Sequence, residues 1–177
     1  ADLIDSVADA LQFISYYHPM DYIHALGRAY EAEVSPAAKD AIAQILTNSR
    51  MCAEGHRPIC QDTGIVNVFV EWGMDCRLDD TSRSLQDVVD EGVRRAYTNP
   101  DNPLRASVLR DPAGKRQNTR DNTPAVVHVE LVPGDKVEVI CAAKGGGSMI
   151  VEGAFALAKI PLDVEYFSWT DLGLEHD

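Results

Sequence analysis

Four short polar segments hold the residue types that could do chemistry in this chain of 177 residues. The first is Arg57-Pro58-Ile59-Cys60-Gln61-Asp62-Thr63-Gly64, where a thiol, an amide, a carboxylate and a hydroxyl sit together ahead of an apolar run. The closing glycine permits a tight turn and close backbone approach, and loops at strand ends are where sites usually sit. The bland alternative is a capped turn with a buried cysteine. The second is Lys144-Gly145-Gly146-Gly147-Ser148. Bare backbone N–H groups there could form an anion-binding nest beside a cation, or the glycines could be a flexible linker. Their spacing fits neither a Walker A loop nor GxGxxG. The third is Asn102-Pro103-Leu104-Arg105-Ala106-Ser107, in which Arg105 could fork onto a carboxylate or simply enter a surface ion pair. The fourth, Asp121-Asn122-Thr123-Pro124, reads most simply as an Asx-type turn.

Other reactive residues form no pattern. Cys52, Cys76 and Cys141 read as small apolar positions, and their spacings match no zinc motif. His18, His24, His56 and His128 show no recurring pair spacing, HExxH is absent, and no GxSxG elbow exists. The net charge of −12 argues against non-specific nucleic-acid binding. An anionic substrate would therefore need a local cluster of donors and cations. No apolar run is long enough for a membrane span. Ala1 to Leu11 carries acids and no base, unlike a signal peptide. Four irregularly spaced cysteines suggest reduced thiols in a cytoplasmic compartment.

The elements that must position these segments follow from periodicity. Leu3, Ile4, Val7, Leu11 and Ile14 fall on one helical face. Pro19 breaks or restarts the helix, and Ile23, Leu26, Ala29 and Tyr30 mark the next. Ser35 as N-cap and Pro36 at the first position predict a third helix, ending near Asn48. Residues 65–72 read as a strand. Ser84 caps a helix that turns Leu85, Val88, Val89, Val93 and Tyr97 inward. Residues 99–103 are a turn, and 110–123 an exposed loop. Residues 125–132 and 136–141 alternate about Pro133-Gly134-Asp135, which predicts a β-hairpin. Residues 151–159 could be a short helix and 162–167 a strand. The expected fold is mixed α/β, with an N-terminal helical layer on a mixed β-sheet containing that hairpin. It forms a single domain over 1–177: a helical region (1–50), a core with the motif loops (51–148) and a divergent tail (149–177).

The order of the motifs resembles class I, iron–sulfur-dependent fumarases and the α-type parts of tartrate dehydratase. The resemblance rests on Ser35-Pro36-Ala37-Ala38-Lys39, Asn48-Ser49-Arg50-Met51, Pro58 to Gly64, Asn102-Pro103-Leu104-Arg105, Asp121 to Ala125 and Ala143 to Ser148. It implies a hydro-lyase that hydrates fumarate to malate through a [4Fe–4S] cluster held by three thiolates, with the fourth iron open to substrate. Carried over residue by residue, Cys60 is a cluster ligand. Asp62 and Thr63 are catalytic. Gln61, Asp62, Arg105, Gly145, Gly146 and Gly147 bind the small dicarboxylate. The family's later cysteines have no counterpart, and Met149-Ile150 departs from its pattern. Two cluster ligands and the general base are therefore expected from a complementary C-terminal region or partner, with a homo-oligomer expected. The alternatives are a tartrate dehydratase α-type subunit, or a non-catalytic assembly or regulatory domain that keeps the fold.

Overall fold

The structure, a computed structural model, describes residues 2–60 and 64–145. Three helices come first, α1 (Asp2–Tyr16), α2 (Met20–Ala32) and α3 (Pro36–Gly55). They are followed by β1 (Ile65–Gly73), α4 (Leu85–Tyr97), the two short strands β2 (Leu109–Arg110) and β3 (Gln117–Asn118), then β4 (Val126–Val132) and β5 (Val137–Lys144). The expected short helix over 151–159 and the expected strand over 162–167 lie outside the described residues.

The core forms where α1 and α4 lie on one face of the sheet. Val7 and Leu11 of α1 meet Val89, Val93, Ala96 and Tyr97 of α4, over Val66, Val68 and Val70 of β1. Every second residue of β1 points into this layer, as strand geometry dictates. The two helices approach closely at Gly92, where an added Cβ would come within 2.8 Å of both the Ile4 carbonyl oxygen and Val7 Cβ. The start of α4 is a capping box: Ser84 Oγ accepts from Asp87 N at 3.1 Å, and Ser84 N donates to Asp87 Oδ2 at 2.9 Å. Arg94 and Arg95 occupy its last turn, complementing the helix dipole.

The mixed sheet is as expected, but its hairpin is not a direct pair. Strand order is β4-β1-β5, with β1 parallel to β4 and antiparallel to β5. The connection at 133–136 instead arches over the end of β1. Gly73 N donates to Lys136 O, Met74 N to Val132 O and Asp75 N to Gly134 O, at 2.9 to 3.0 Å. The reason is burial. β1 has the most fully buried inward face, with Val66 and Val68 enclosed, which the central slot between two strands provides. A four-residue connection can span the two strand spacings, about 9.5 Å, that this requires.

Two further expectations change. The third helix does not end near Asn48 but runs to Gly55, because Ser49, Cys52 and Ala53 are buried and no breaker intervenes. Pro36 holds its first-turn position, whereas the Ser35 side chain makes no cap bond; Glu33 Oε1 accepts from the backbone N–H groups of Val34 and Ser35 instead. The polar stretch 110–123 is not simply an exposed loop. It begins at the end of β2 and contains β3, which pairs antiparallel with β2, and two buried polar residues, Thr119 and Asn122.

Candidate active site

Cys60 follows the end of α3 and is exposed. Its approach is held from two sides. Ile59 N donates to Ser15 O of α1 at 2.8 Å, and Asn48 Nδ2 of α3 donates to Ile59 O at 3.0 Å. Arg57 N donates to Cys52 O, closing the helix end behind it. Asn48 sits at the expected terminus of α3, and the turns that continue past it to Gly55 lead into the cysteine segment.

Gly64 joins this segment to the glycine-rich one. It is buried and adopts φ +67°, a conformation glycine takes without penalty. An added Cβ would fall on the Lys144 carbonyl and within 2.8 Å of Gly145 N. The backbones at 64 and 144–145 are therefore in direct apposition, where β1 begins and β5 ends. Ile65 pairs with Lys144 in the same register.

Asn122 brings in the other two segments. Its side chain is fully buried. Nδ2 donates to Gly64 O at 2.9 Å, while Oδ1 accepts from Ser107 N at 2.6 Å and Val108 N at 3.1 Å. One amide thus ties the cysteine segment to the segment carrying Arg105, two residues before Ser107. Asn102, at the start of that segment, is also buried. It exchanges a side-chain bond with Gln12 of α1, whose amide donates to Asn102 O as well. Arg105 itself is exposed, and Gly145 is half-buried. Gln61, Asp62, Thr63, Gly146 and Gly147 lie outside the described residues.

Asp121 forms the expected local turn, accepting from Thr123 N and Oγ1 at 3.1 and 2.8 Å. Burial opposes its ionisation, but these bonds and the Arg94 guanidinium at 3.1 Å outweigh that and hold its carboxyl below the usual range. The role of Asn122 next to it was not legible as chemistry. Its only signal was a run of short polar residues placed directly before an apolar strand.

The cysteines differ sharply in what they could bind. Cys141 lies mid-strand opposite Val68, and burial pushes its thiol up to about 12. Cys52 is buried; desolvation raises its pKa first, and the nearby Cys60 adds to the effect. Cys76 follows the far end of β1, a strand length away, roughly 30 Å for nine residues. Cys52 and Cys141 are buried and Cys76 is distant, so Cys60 is the exposed thiol in this corner. Among the described residues no group of three His, Cys, Asp or Glu side chains could hold a metal ion. A single accessible thiol fits one ligand of an iron–sulfur cluster and does not complete one. No helix among the described residues is long and apolar enough to cross a membrane.

A sequence model of the fumarate hydratase (Fumerase) family matches residues 4–164. The chain belongs to the fumarate hydratase family. A Methanocaldococcus jannaschii protein provisionally named L(+)-tartrate dehydratase subunit alpha is 28% identical over 147 residues, covering 81% of this chain and 50% of its own length. The anaerobic class I fumarate hydratase of Escherichia coli K12 is 31% identical over 119 residues, 67% of this chain and 21% of that enzyme. The L(+)-tartrate dehydratase subunit alpha of an E. coli strain is 29% identical over 147 residues, 82% of this chain and 47% of the relative. The chain thus spans half or less of the length of these fumarate hydratase family relatives.

Proposed function

We propose that this chain supplies one part of the active site of a hydro-lyase that adds water reversibly across the double bond of a four-carbon dicarboxylate, fumarate to malate. The observation that carries the reading is the meeting of Gly64, Asn122 and the Lys144–Gly145 backbone, which gathers the four chemistry-bearing segments at one end of the sheet. In an acidic chain this is also where cations and backbone donors would concentrate. Arg105 would fork onto one substrate carboxylate, and the N–H groups of Gly145, Gly146 and Gly147 would receive anionic oxygen. Gln61 and Asp62 would contact the carboxylate and hydroxyl, with Asp62 and Thr63 serving proton transfer. Cys60 would hold one iron of a [4Fe–4S] cluster. When bound, such a cluster supplies a Lewis-acidic iron for substrate oxygen.

Because the other cysteines do not fit, the remaining ligands come from outside this chain's cysteines, in a complementary region or subunit. Two of the relatives are named alpha subunits, which agrees with that division. L(+)-tartrate is the second substrate reading. Relatives named tartrate dehydratase subunit alpha stand beside the fumarate hydratases among the similar proteins, and the two groups align over comparable lengths, 147 and up to 156 residues.

Two measurements test this. After anaerobic reconstitution together with the complementary region or subunit, iron and sulfide analysis should show loss of the metal in Cys60→Ala and retention in Cys141→Ala; equal loss in both removes Cys60 from the ligand role. Titration calorimetry with fumarate, malate and L(+)-tartrate identifies the substrate class. Arg105→Lys should weaken binding about tenfold, since an ammonium cannot form the planar fork. Unchanged affinity takes Arg105 out of the site.

A further inference from the structure

α3 ends in a tight reversal that carries one cysteine back past another. His56 caps the helix in the left-handed region, at φ +47°, and Arg57 N donates to Cys52 O at 3.0 Å, so the chain turns back along the helix it has just left. Pro58 then passes the Cys52 side chain, whose Sγ lies 3.6 Å from Pro58 O. A helical side chain leans over the turn N-terminal to its own Cα, and Cys52 Sγ also lies 3.7 Å from Asn48 Oδ1. The same Asn48 amide donates through Nδ2 to Ile59 O at 3.0 Å, the carbonyl joined directly to Cys60. One side chain thus touches the Cys52 thiol with one end and the peptide preceding Cys60 with the other. Cys60 follows Pro58 by two residues, at most about 7 Å of chain, which keeps its thiol beside Cys52. The two groups feel each other: after burial, the neighbouring Cys60 is the second cause that raises the Cys52 thiol.

Their exposures are complementary. Cys60 is open to a small oxidant, while Cys52 is buried beside it. In such an arrangement the first oxidation product of the outer thiol condenses with the inner one instead of being oxidised further. Cys76 lies beyond the far end of β1 and Cys141 in the middle of β5, so neither competes. We infer that Cys52 and Cys60 form a reversible redox pair within the chain, in which hydrogen peroxide oxidises Cys60 and Cys52 resolves the product as a disulfide. The Cys60 sulfur attacks one peroxide oxygen. The O–O bond breaks, the sulfur loses two electrons, and the departing hydroxide leaves as water with the thiol proton. Cys52 Sγ then attacks the sulfenic sulfur. An S–S bond forms, the S–O bond breaks, and that hydroxide takes the Cys52 proton as a second water. Two thiols and one peroxide thus give one disulfide and two waters, and an added dithiol restores both thiols by exchange. The pair itself uses no substrate and no metal. Its consequence rests on the hydro-lyase reading: the oxidised pair withholds the thiolate proposed as an iron ligand and protects Cys60 from irreversible sulfinic acid.

The test uses the metal-free 177-residue chain, reduced, freed of reductant and kept dilute so that encounters between chains are rare. One equivalent of hydrogen peroxide should lower the thiols titrated after denaturation from four to two and reduce the intact mass by two hydrogens. Proteolysis after Glu54 separates Cys52 from Cys60, so the two peptides should stay joined until dithiothreitol is added, with Cys76 and Cys141 still open to alkylation. Cys52→Ala and Cys52→Ser, each checked for folding by circular dichroism, should stop at a Cys60 sulfenic acid. A cyclic 1,3-diketone should then capture about tenfold more adduct than in the unaltered chain. Cys76→Ala should leave the disulfide unchanged. A chain in which Cys52 stays free while Cys60 proceeds to sulfinic acid would overturn the inference, as would linkage of Cys60 to Cys76, to Cys141 or to a second chain. None of these outcomes depends on whether dicarboxylates bind, so failure of the redox pair and failure of the hydro-lyase reading are told apart.

Discussion

Asn122 shows how much one buried amide can decide. Its three hydrogen bonds satisfy backbone groups of Gly64, Ser107 and Val108, and its φ of +60° is one that asparagine tolerates better than most residues. Asn122→Ala leaves those groups without their partner, at a cost of roughly 1–3 kcal/mol for each that water cannot reach, the buried Gly64 carbonyl foremost. We expect a stability loss of about 2–4 kcal/mol in urea denaturation, with weakened dicarboxylate binding as the Arg105 segment loosens. A loss under about 0.5 kcal/mol would show that the amide is not the tie. Cys141 yields a second expectation. Burial raises its thiol from 9.0 to about 12, so the folded state keeps a proton that the unfolded chain releases. Unfolding free energy therefore falls as pH climbs above about 9, and is unaffected by this group below that. Between about pH 9 and 11 the loss attributable to Cys141 should reach about 2 kcal/mol, absent in Cys141→Ala. Parallel pH slopes for the two proteins would contradict it.

At the scale of elements, α4 is where local signals and structure agree most closely. Ser84 and the inward valines were readable, because a cap and a 3.6-residue period are local properties, whereas the Asp87 half of the capping box emerged with the structure. Ser84→Ala should cost about 1 kcal/mol in thermal or urea unfolding. Hydrogen bonds from the Ser84 hydroxyl and backbone hold the Asp87 carboxyl below its usual range. A depressed carboxylate stabilises the fold above its unfolded pKa, so the benefit is present at neutral pH and is lost as pH falls into the acid range. The Ser84→Ala deficit should therefore shrink in acid; a deficit independent of pH would mean that Asp87 contributes nothing through ionisation. α3 was less legible. Its final turns, from Ser49 on, bury small residues against tertiary neighbours, and no periodicity within the helix announces that contact.

For the whole molecule, stability is concentrated around α1, α4 and β1. α2 stands apart, with Ile23 its one buried residue and α3 its main neighbour. Local opening follows low packing, so hydrogen exchange should find the α2 amides opening at markedly lower free energy than those of α1 or α4. Ile23→Ala should accelerate exchange in α2 while moving the global unfolding midpoint little. Equal protection in the two regions would show that α2 belongs to the same cooperative unit. Placing the motif segments at the opposite end of the sheet from the 133–136 connection keeps the proposed site on the packed part of the molecule, where a geometry can be held.

The amino-acid sequence alone determined the helical N-terminus, the apolar faces of α1 and α4, the three long strands, and the four polar segments with Cys60 and Arg105 among them. These depend on near-neighbour chemistry: caps, breakers and periods of two or 3.6. Only tertiary structure decided that β1 parts the two strands of the expected hairpin, that α3 continues to Gly55, and that Asn122 joins the segments. Those outcomes come from competition for burial and from hydrogen bonds such as that from Asn122 to Gly64, 58 positions away, which no local window can contain.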